Sequence, residues 1–257
     1  MPIRLLSTDF DGTLIGHHPD ARTARSLADA LRELRRAGAV WAVNTGRQLW
    51  FALEGLEQVH LPHDPEFVLT SEKDIYRRVE EGSWEAFGDW NARTESQTLD
   101  LFSRASHIFS AIEELAARED GIEVLYENGR LAGLMTADPE TMDRAADLVR
   151  EAASDVPEFS YNRNDVWMRF THREIHKGSA LAELSRLLDI RRDDVLAIGD
   201  HHNDIPMLDG SAAGMVACPA NAVGRVQEVV RRNGGYVSPF PWGEGVADAI
   251  RHFSAIS

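Results

Sequence analysis

Apolar runs and apolar stripes take turns along the first part of the chain. Ile3 to Thr8 is a short apolar run ending in a loop rich in Asp and Gly, the pattern of a buried parallel strand. From Thr23 to Ala37 the residues Leu27, Ala30, Leu31 and Leu34 recur at helical spacing, and Gly38 follows as a stop signal. Ala39 to Val43 predicts a second strand, Arg47 to Leu56 a helix, and Phe67 to Thr70 a third strand. This alternation predicts an α/β fold with a doubly wound parallel, Rossmann-like sheet.

The pattern changes near Lys73. Thr94 to Arg118 predicts one long helix, with Leu101, Ala105, Ile108, Ile112 and Leu115 on one stripe. Ile122 to Glu127 and Arg130 to Met135 flank Asn128-Gly129, a two-residue hairpin signal. Asp138 before Pro139 suits an N-cap and first turn, and that helix runs to about Ala153. Phe159 to Arg163 and Val166 to Thr171 predict a second hairpin. Helix and hairpin, twice over, is an α+β unit with an antiparallel sheet, expected as a domain inserted at residues 74–172. Alternation resumes after His176, with helices at Ser179 to Leu188, Asn203 to Leu208 and Ala222 to Arg232 and strands at Asp194 to Ile198 and Gly214 to Ala217. Residues 1–73 and 173–257 are therefore expected to close one core domain around the insertion.

Composition narrows the function classes. A length of 257 residues with 43% hydrophobic residues supports a globular core in one or two domains. The formal net charge of -15 argues against non-specific nucleic-acid binding, because phosphate backbones repel such a surface. One local pocket can still be positive, so a small anionic substrate fits. The single cysteine, Cys218, allows no internal disulfide and reads as a small buried apolar residue. No apolar stretch is long enough to span a bilayer, and a cytoplasmic protein is expected.

Four polar clusters fall at or near the carboxyl ends of predicted strands, where open parallel sheets bind ligands. They are Asp9-Phe10-Asp11-Gly12-Thr13-Leu14, Asn44-Thr45-Gly46-Arg47, Lys177-Gly178, and Gly199-Asp200-His201-His202-Asn203-Asp204. Gathered carboxylates repel one another unless a cation sits among them, and hard oxygen ligands without Cys select Mg²⁺ over zinc. A carboxylate is a competent nucleophile towards phosphorus. A second one two residues on can give a proton to the leaving oxygen and then take one from water. A lysine and a hydroxyl can stabilise the transferring phosphoryl oxygens. Each cluster has a bland reading as well: Asp-Gly is a common turn, Thr45 suits an N-cap, and Lys177 alone is a surface lysine. The order of all four favours chemistry.

With those motifs the chain resembles the haloacid dehalogenase superfamily, and within it the Cof-like sugar-phosphatase group with a type IIB cap. The resemblance covers residues 3–72 and 173–250, and is strongest at Lys177-Gly178-Ser179-Ala180-Leu181, Asn203-Asp204-Ile205-Pro206-Met207-Leu208 and Ala220-Asn221-Ala222. It implies Asp9 as nucleophile and Mg²⁺ ligand, and Asp11 as general acid/base whose backbone carbonyl also meets the metal. Thr45 would bond the phosphoryl group, Lys177 would neutralise it, Asp200 would ligate Mg²⁺ and Asp204 would support the metal through water. Asn203 and the backbone at Phe10, Gly12 and Gly46 would bind phosphate. Thr70-Ser71-Glu72-Lys73-Asp74 departs from the Asn-Gly-Ala turn usual in the family, so no substrate contact is carried over there.

The implied function is Mg²⁺-dependent hydrolysis of a small phosphate monoester, a sugar phosphate or related metabolite, under a cap domain. The alternatives are a sugar phosphomutase and a non-catalytic regulatory module on the same fold. His201 and His202 read as solvent-facing loop residues, and His17 and His18 as a loop after the first motif. On the strand Val166 to Thr171, Val166, Met168 and Phe170 are expected to pack on the helices of the insertion. Trp167 and Arg169 then share the open face, where they are expected to contact substrate, with a dimer interface or an exposed Trp on the sheet as the alternative.

Overall fold

The computed structural model describes residues 2–16, 25–59, 61–79, 82–127, 129–163 and 166–255. Two compact units emerge: Met1–Asn91 with His176–Ser257, and Ala92–Ile175.

The larger unit is built on an eight-stranded sheet. Its strands are β1 (Leu5–Thr8), β2 (Val40–Asn44), β3 (Phe67–Thr70), β4 (Asp74–Arg78), β5 (Trp84–Ala86), β10 (Val195–Ile198), β11 (Met215–Cys218) and β12 (Tyr236–Val237), in the order β12-β11-β10-β1-β2-β3-β4-β5. Pairing is parallel from β12 to β3 and antiparallel onward to β5. Alternate residues of each strand enter opposite cores, which is why these strands read as continuous apolar runs. On one face Leu6, Trp41, Val43, Leu196 and Ile198 pack with α1 (Arg25–Arg36), α2 (Leu49–Gln58) and α9 (Trp242–Ala255). On the other, Leu5, Ala42, Leu69, Val195 and Ala197 pack with α6 (Lys177–Leu187), α7 (Ile205–Leu208) and α8 (Gly224–Arg232). Each fully buried Leu or Ile contributes roughly 1.5–3 kcal/mol. Cys218 lies in the second core, where burial pushes its thiol up to about 12, so it stays a neutral apolar side chain.

The smaller unit carries α3 (Trp90–Arg104), which begins just before the division, α4 (Ser106–Arg118) and α5 (Pro139–Ala152). Its antiparallel sheet comprises β6 (Ile122–Glu127), β7 (Arg130–Thr136), β8 (Phe159–Arg163) and β9 (Trp167–His172), in the order β6-β7-β9-β8. Met168 and Phe170 enter its core with Ile108 and Ile112 of α4 and Met142 and Val149 of α5, while Val166 lies just before β9 and is only partly buried. Asp138 caps α5, its carboxylate accepting the Thr141 N–H at 2.8 Å.

Several boundaries differ from the sequence reading. The stripe from Thr94 to Arg118 is two helices, parted at Ala105 (φ -89°, ψ 14°). Leu101, Ala105, Ile108 and Ile112 remain buried across the break, so the apolar period continues where the hydrogen-bond ladder does not. The units part at Asn91/Ala92 and Ile175/His176 instead of 73/74 and 172/173. Residues after Lys73 turn back as β4 and β5 and extend the core sheet, with Ile75 buried there. The segment Asn203 to Leu208 opens as a 3-10 turn at His202–Asp204 before one turn of α7. β12 and α9 carried too short or too mixed a pattern to be read, yet Val246, Ala247 and Ile250 of α9 complete the first core. His17, His18, Thr23 and Asn128 lie outside the described residues. Among the described residues no helix is long and apolar enough to cross a membrane.

Candidate active site

Strand order reverses about β1: β2 and β3 lie on one side, β10 and β11 on the other. β1 leads to α1 on one face of the sheet and β10 to α7 on the other, so their carboxyl ends mark the switch-point crevice where open α/β sheets bind ligands. Asp9 directly follows β1 and Asp200 lies two residues beyond β10.

Lys177 is the first residue of α6. The His176 side chain accepts the Ser179 N–H and the Ser179 hydroxyl accepts the His176 N–H, a capping box that fixes where the helix begins. The buried Lys177 Nζ then donates to Asp9 Oδ1 at 2.6 Å and Asp204 Oδ1 at 2.7 Å. Asp204 Oδ2 accepts the backbone N–H groups of Asp200 and His201, both at 2.9 Å. Asp204 is therefore a buttress that ties Lys177 to the Asp200 loop. Thr13 donates its hydroxyl to Asp200 Oδ1 at 2.8 Å.

One oxygen from each of Asp9, Asp200 and Asp204 lies within 4.8 Å of the others, and all three residues are buried. Burial, then repulsion from Asp204 and Asp200, raises the Asp9 carboxyl well above its ordinary value, against the pull of Lys177. Burial and then Asp204 raise Asp200 likewise, against the Thr13 hydrogen bond and Lys177. Burial works against the charge on Lys177, but Asp204, Asp9 and Glu72 outweigh it and hold its ammonium above the ordinary value. One ammonium thus faces three buried carboxylates, and a divalent cation fits the remaining charge. All three could hold such a cation, and both Asp204 oxygens already accept bonds, from Lys177 and from two amides. Gly12 (φ 81°) makes room for Asp200, since a Cβ there would stand 2.4 Å from its Oδ2. Asn221 clasps that loop, donating to the Gly12 carbonyl at 2.7 Å.

Asp11 turns the other way. Arg47 grips it with two bonds, Nε to Oδ2 at 2.7 Å and Nη2 to Oδ1 at 2.6 Å, while the guanidinium lies over Phe10 and Phe51. The Phe10 side chain is part of the core. Thr45 is buried, its Oγ1 accepting the Arg47 N–H at 3.2 Å. Asn203 is held by a hydrogen bond to the Glu72 carboxylate. His201 is half-buried and His202 exposed, and neither belongs to the carboxylate cluster. Trp167 and Arg169 belong to the smaller unit, where Arg169 donates to Glu127 at 2.6 Å.

Thr13, Arg47, Glu72 and Asn221 were not given roles by the motifs. Thr13, Arg47 and Asn221 stand inside or beside recognised motifs, so adjacency was a usable signal. Glu72 had none, because its partner Asn203 is 131 residues away.

The haloacid dehalogenase-like hydrolase family matches residues 87–250, and the sucrose-6F-phosphate phosphohydrolase family matches residues 2–92. The chain is 37% identical over 251 residues to a phosphoglycolate phosphatase of Methanothermobacter thermautotrophicus, covering 98% of this chain and 99% of the relative. It shares its fold with the sucrose-phosphatase of Synechocystis, solved with sucrose and phosphate (TM-score 0.71, 20% identity, 99% of both chains). The same holds for a subclass IIB sugar phosphatase of the haloacid dehalogenase superfamily (TM-score 0.64, 17% identity, 98% of this chain and 99% of the other).

Proposed function

Because the chain belongs to the haloacid dehalogenase-like hydrolases and is a phosphoric monoester hydrolase, we propose that it cleaves a small phosphorylated metabolite through a phospho-aspartate on Asp9, with Mg²⁺ held by Asp9 and Asp200. The observation that carries this reading is Lys177 bridging Asp9 and Asp204 beside Asp200 in the switch-point crevice.

Asp9 attacks phosphorus, and the bond to the substrate oxygen breaks as Asp11 gives that oxygen a proton. Asp11 then takes a proton from water, which attacks the phosphorus, frees inorganic phosphate and restores Asp9. A proton on Asp11 requires one of its oxygens to leave the Arg47 fork, so the reaction has to open that pair. Lys177, Thr45, Asn203 and the backbone at Phe10, Gly12 and Gly46 hold the phosphoryl oxygens. Bound Mg²⁺, also met by the Asp11 carbonyl, would stabilise negative charge on those oxygens and screen Asp9 from the incoming anion.

A sugar phosphate or related metabolite is the proposed substrate, supported by the sugar phosphatases that share the fold. A cytoplasmic location belongs to the same proposal, since such charged molecules cross bilayers poorly. The test is phosphate release from a panel of phosphorylated metabolites with Mg²⁺. Release without a bisphosphate activator supports hydrolysis over transfer to a sugar hydroxyl, and no release from any ester overturns the reading. Asp200→Ala is expected to raise the Mg²⁺ concentration for half-maximal rate about tenfold or more. A titration that overlays wild type would rule out the metal assignment.

Trp167 and Arg169 are proposed to contact the organic part of the substrate, supported by their place on β9 opposite the buried Met168 and Phe170. Trp167→Ala and Arg169→Ala are then expected to lower kcat/KM more on the best metabolite than on p-nitrophenyl phosphate, which has no remote groups to hold. Equal losses on both would reject that role.

A further inference from the structure

The turn between β3 and β4 is costly for the residues it contains. Ser71 (φ 52°) and Glu72 (φ 62°) both occupy the left-handed region without being glycine. Such strain persists only where the surroundings enforce it, and it gathers at functional sites. Here the Ser71 N–H donates to the Arg47 carbonyl at 2.9 Å and the Glu72 N–H to the Thr45 carbonyl at 3.2 Å. The turn is thereby clasped to the Thr45–Arg47 loop.

This backbone aims the Glu72 side chain inward, where it is 9% exposed. Its Oε1 accepts a hydrogen bond from Asn203 Nδ2 at 2.8 Å. The same oxygen lies beside residue 46, 3.4 Å from where a Cβ there would stand, an ordinary contact distance. Its charge also reaches Lys177, helping to hold that ammonium protonated. A carboxylate is thus wedged between two positions read as phosphate-binding, where it repels an incoming dianion. Glycine would make the same turn without strain and without that repulsion. The glutamate adds a bond to Asn203. An Asn amide nitrogen carries two protons, and with one given to Glu72 the other has a fixed direction.

We propose that Glu72 is a positioning residue that locks the Asn203 amide so that its second N–H meets a phosphoryl oxygen. The proposal rests on the reading of Asn203 as a phosphate ligand. It is tested by competitive inhibition with inorganic phosphate and by steady-state kinetics, with Mg²⁺ present. Glu72→Gly is expected to melt at the same or a higher temperature than wild type, because the left-handed strain is gone. It is expected to weaken phosphate inhibition about tenfold and to raise KM more than it lowers kcat. Glu72→Asn tolerates the left-handed region but is too short to reach Asn203, so it should behave alike. Glu72→Gln keeps an acceptor oxygen and should stay within about threefold of wild type. Asn203→Ala should match Glu72→Gly, and the double variant should be no worse than either. If Asn203→Ala is impaired while Glu72→Gly and Glu72→Asn bind phosphate as wild type does, Glu72 has no such role. Losses that multiply in the double variant would overturn the proposal too, because the two residues would then act independently. If Asn203→Ala itself binds phosphate normally, the assignment of Asn203 fails, and the proposal with it.

Discussion

Asp9→Asn is expected to lose at least about ten-thousandfold in kcat while keeping its fold. Asn preserves shape but removes the nucleophilic charge and a metal donor together, and the remaining groups cannot form the covalent intermediate. A loss of that size is about 5.5 kcal/mol of barrier. The stability side has a definite sign. Burial and the neighbouring Asp204 hold the Asp9 carboxyl above its ordinary value, so the folded protein disfavours its ionised form. That penalty is absent below the ordinary value, grows as pH rises towards the raised one and is full above it. A neutral Asn removes it, while Lys177 keeps Asp204 as partner at 2.7 Å. The melting temperature at neutral pH, measured without Mg²⁺, should therefore be unchanged or higher. Turnover near wild type in a well-folded Asp9→Asn preparation would sink the phospho-aspartate mechanism.

Lys177→Met should show the opposite combination, losing both activity and stability. The ammonium touches Asp9 and Asp204 in the interior, and Met replaces its volume but not its charge. Breaking a buried pair by removing one partner costs about 3–5 kcal/mol, because the other charges stay buried without compensation. Turnover should fall about a hundredfold or more, since a contact to the transferring phosphoryl group is lost as well. Denaturant melts in EDTA, so that no cation substitutes for the lysine, should show the largest deficit at neutral pH. The deficit should shrink as pH falls, because the Asp9 carboxyl, already raised by burial and by Asp204, takes up a proton more readily once the ammonium is gone. A variant with wild-type stability at neutral pH would show that the bridge is not what holds this site together.

Glu72 explains why part of the site could not be read from the chain. Asp9, Asp11, Thr45, Lys177, Asp200 and Asp204 stand in short motifs whose order and strand-end placement announce them. Glu72 stands in a turn that departs from the expected pattern, and its meaning comes from a left-handed backbone and from Asn203. Arg47 is similar. It was visible beside Thr45 and Gly46, but nothing in local sequence says that its guanidinium turns back onto Asp11.

By itself the sequence determined the parallel core and the placement of the acids and the lysine at its strand ends. These depend on period, on strand-end position and on motif order, all of which are local. Tertiary structure alone decided that β4 and β5 extend the core sheet and that the apolar stripe breaks at Ala105. It also decided that Asp204 supports Lys177 and the Asp200 loop, and that Glu72 holds Asn203. In each case the deciding contact joins residues distant in sequence or depends on a backbone angle, and hydrophobic periodicity carries neither.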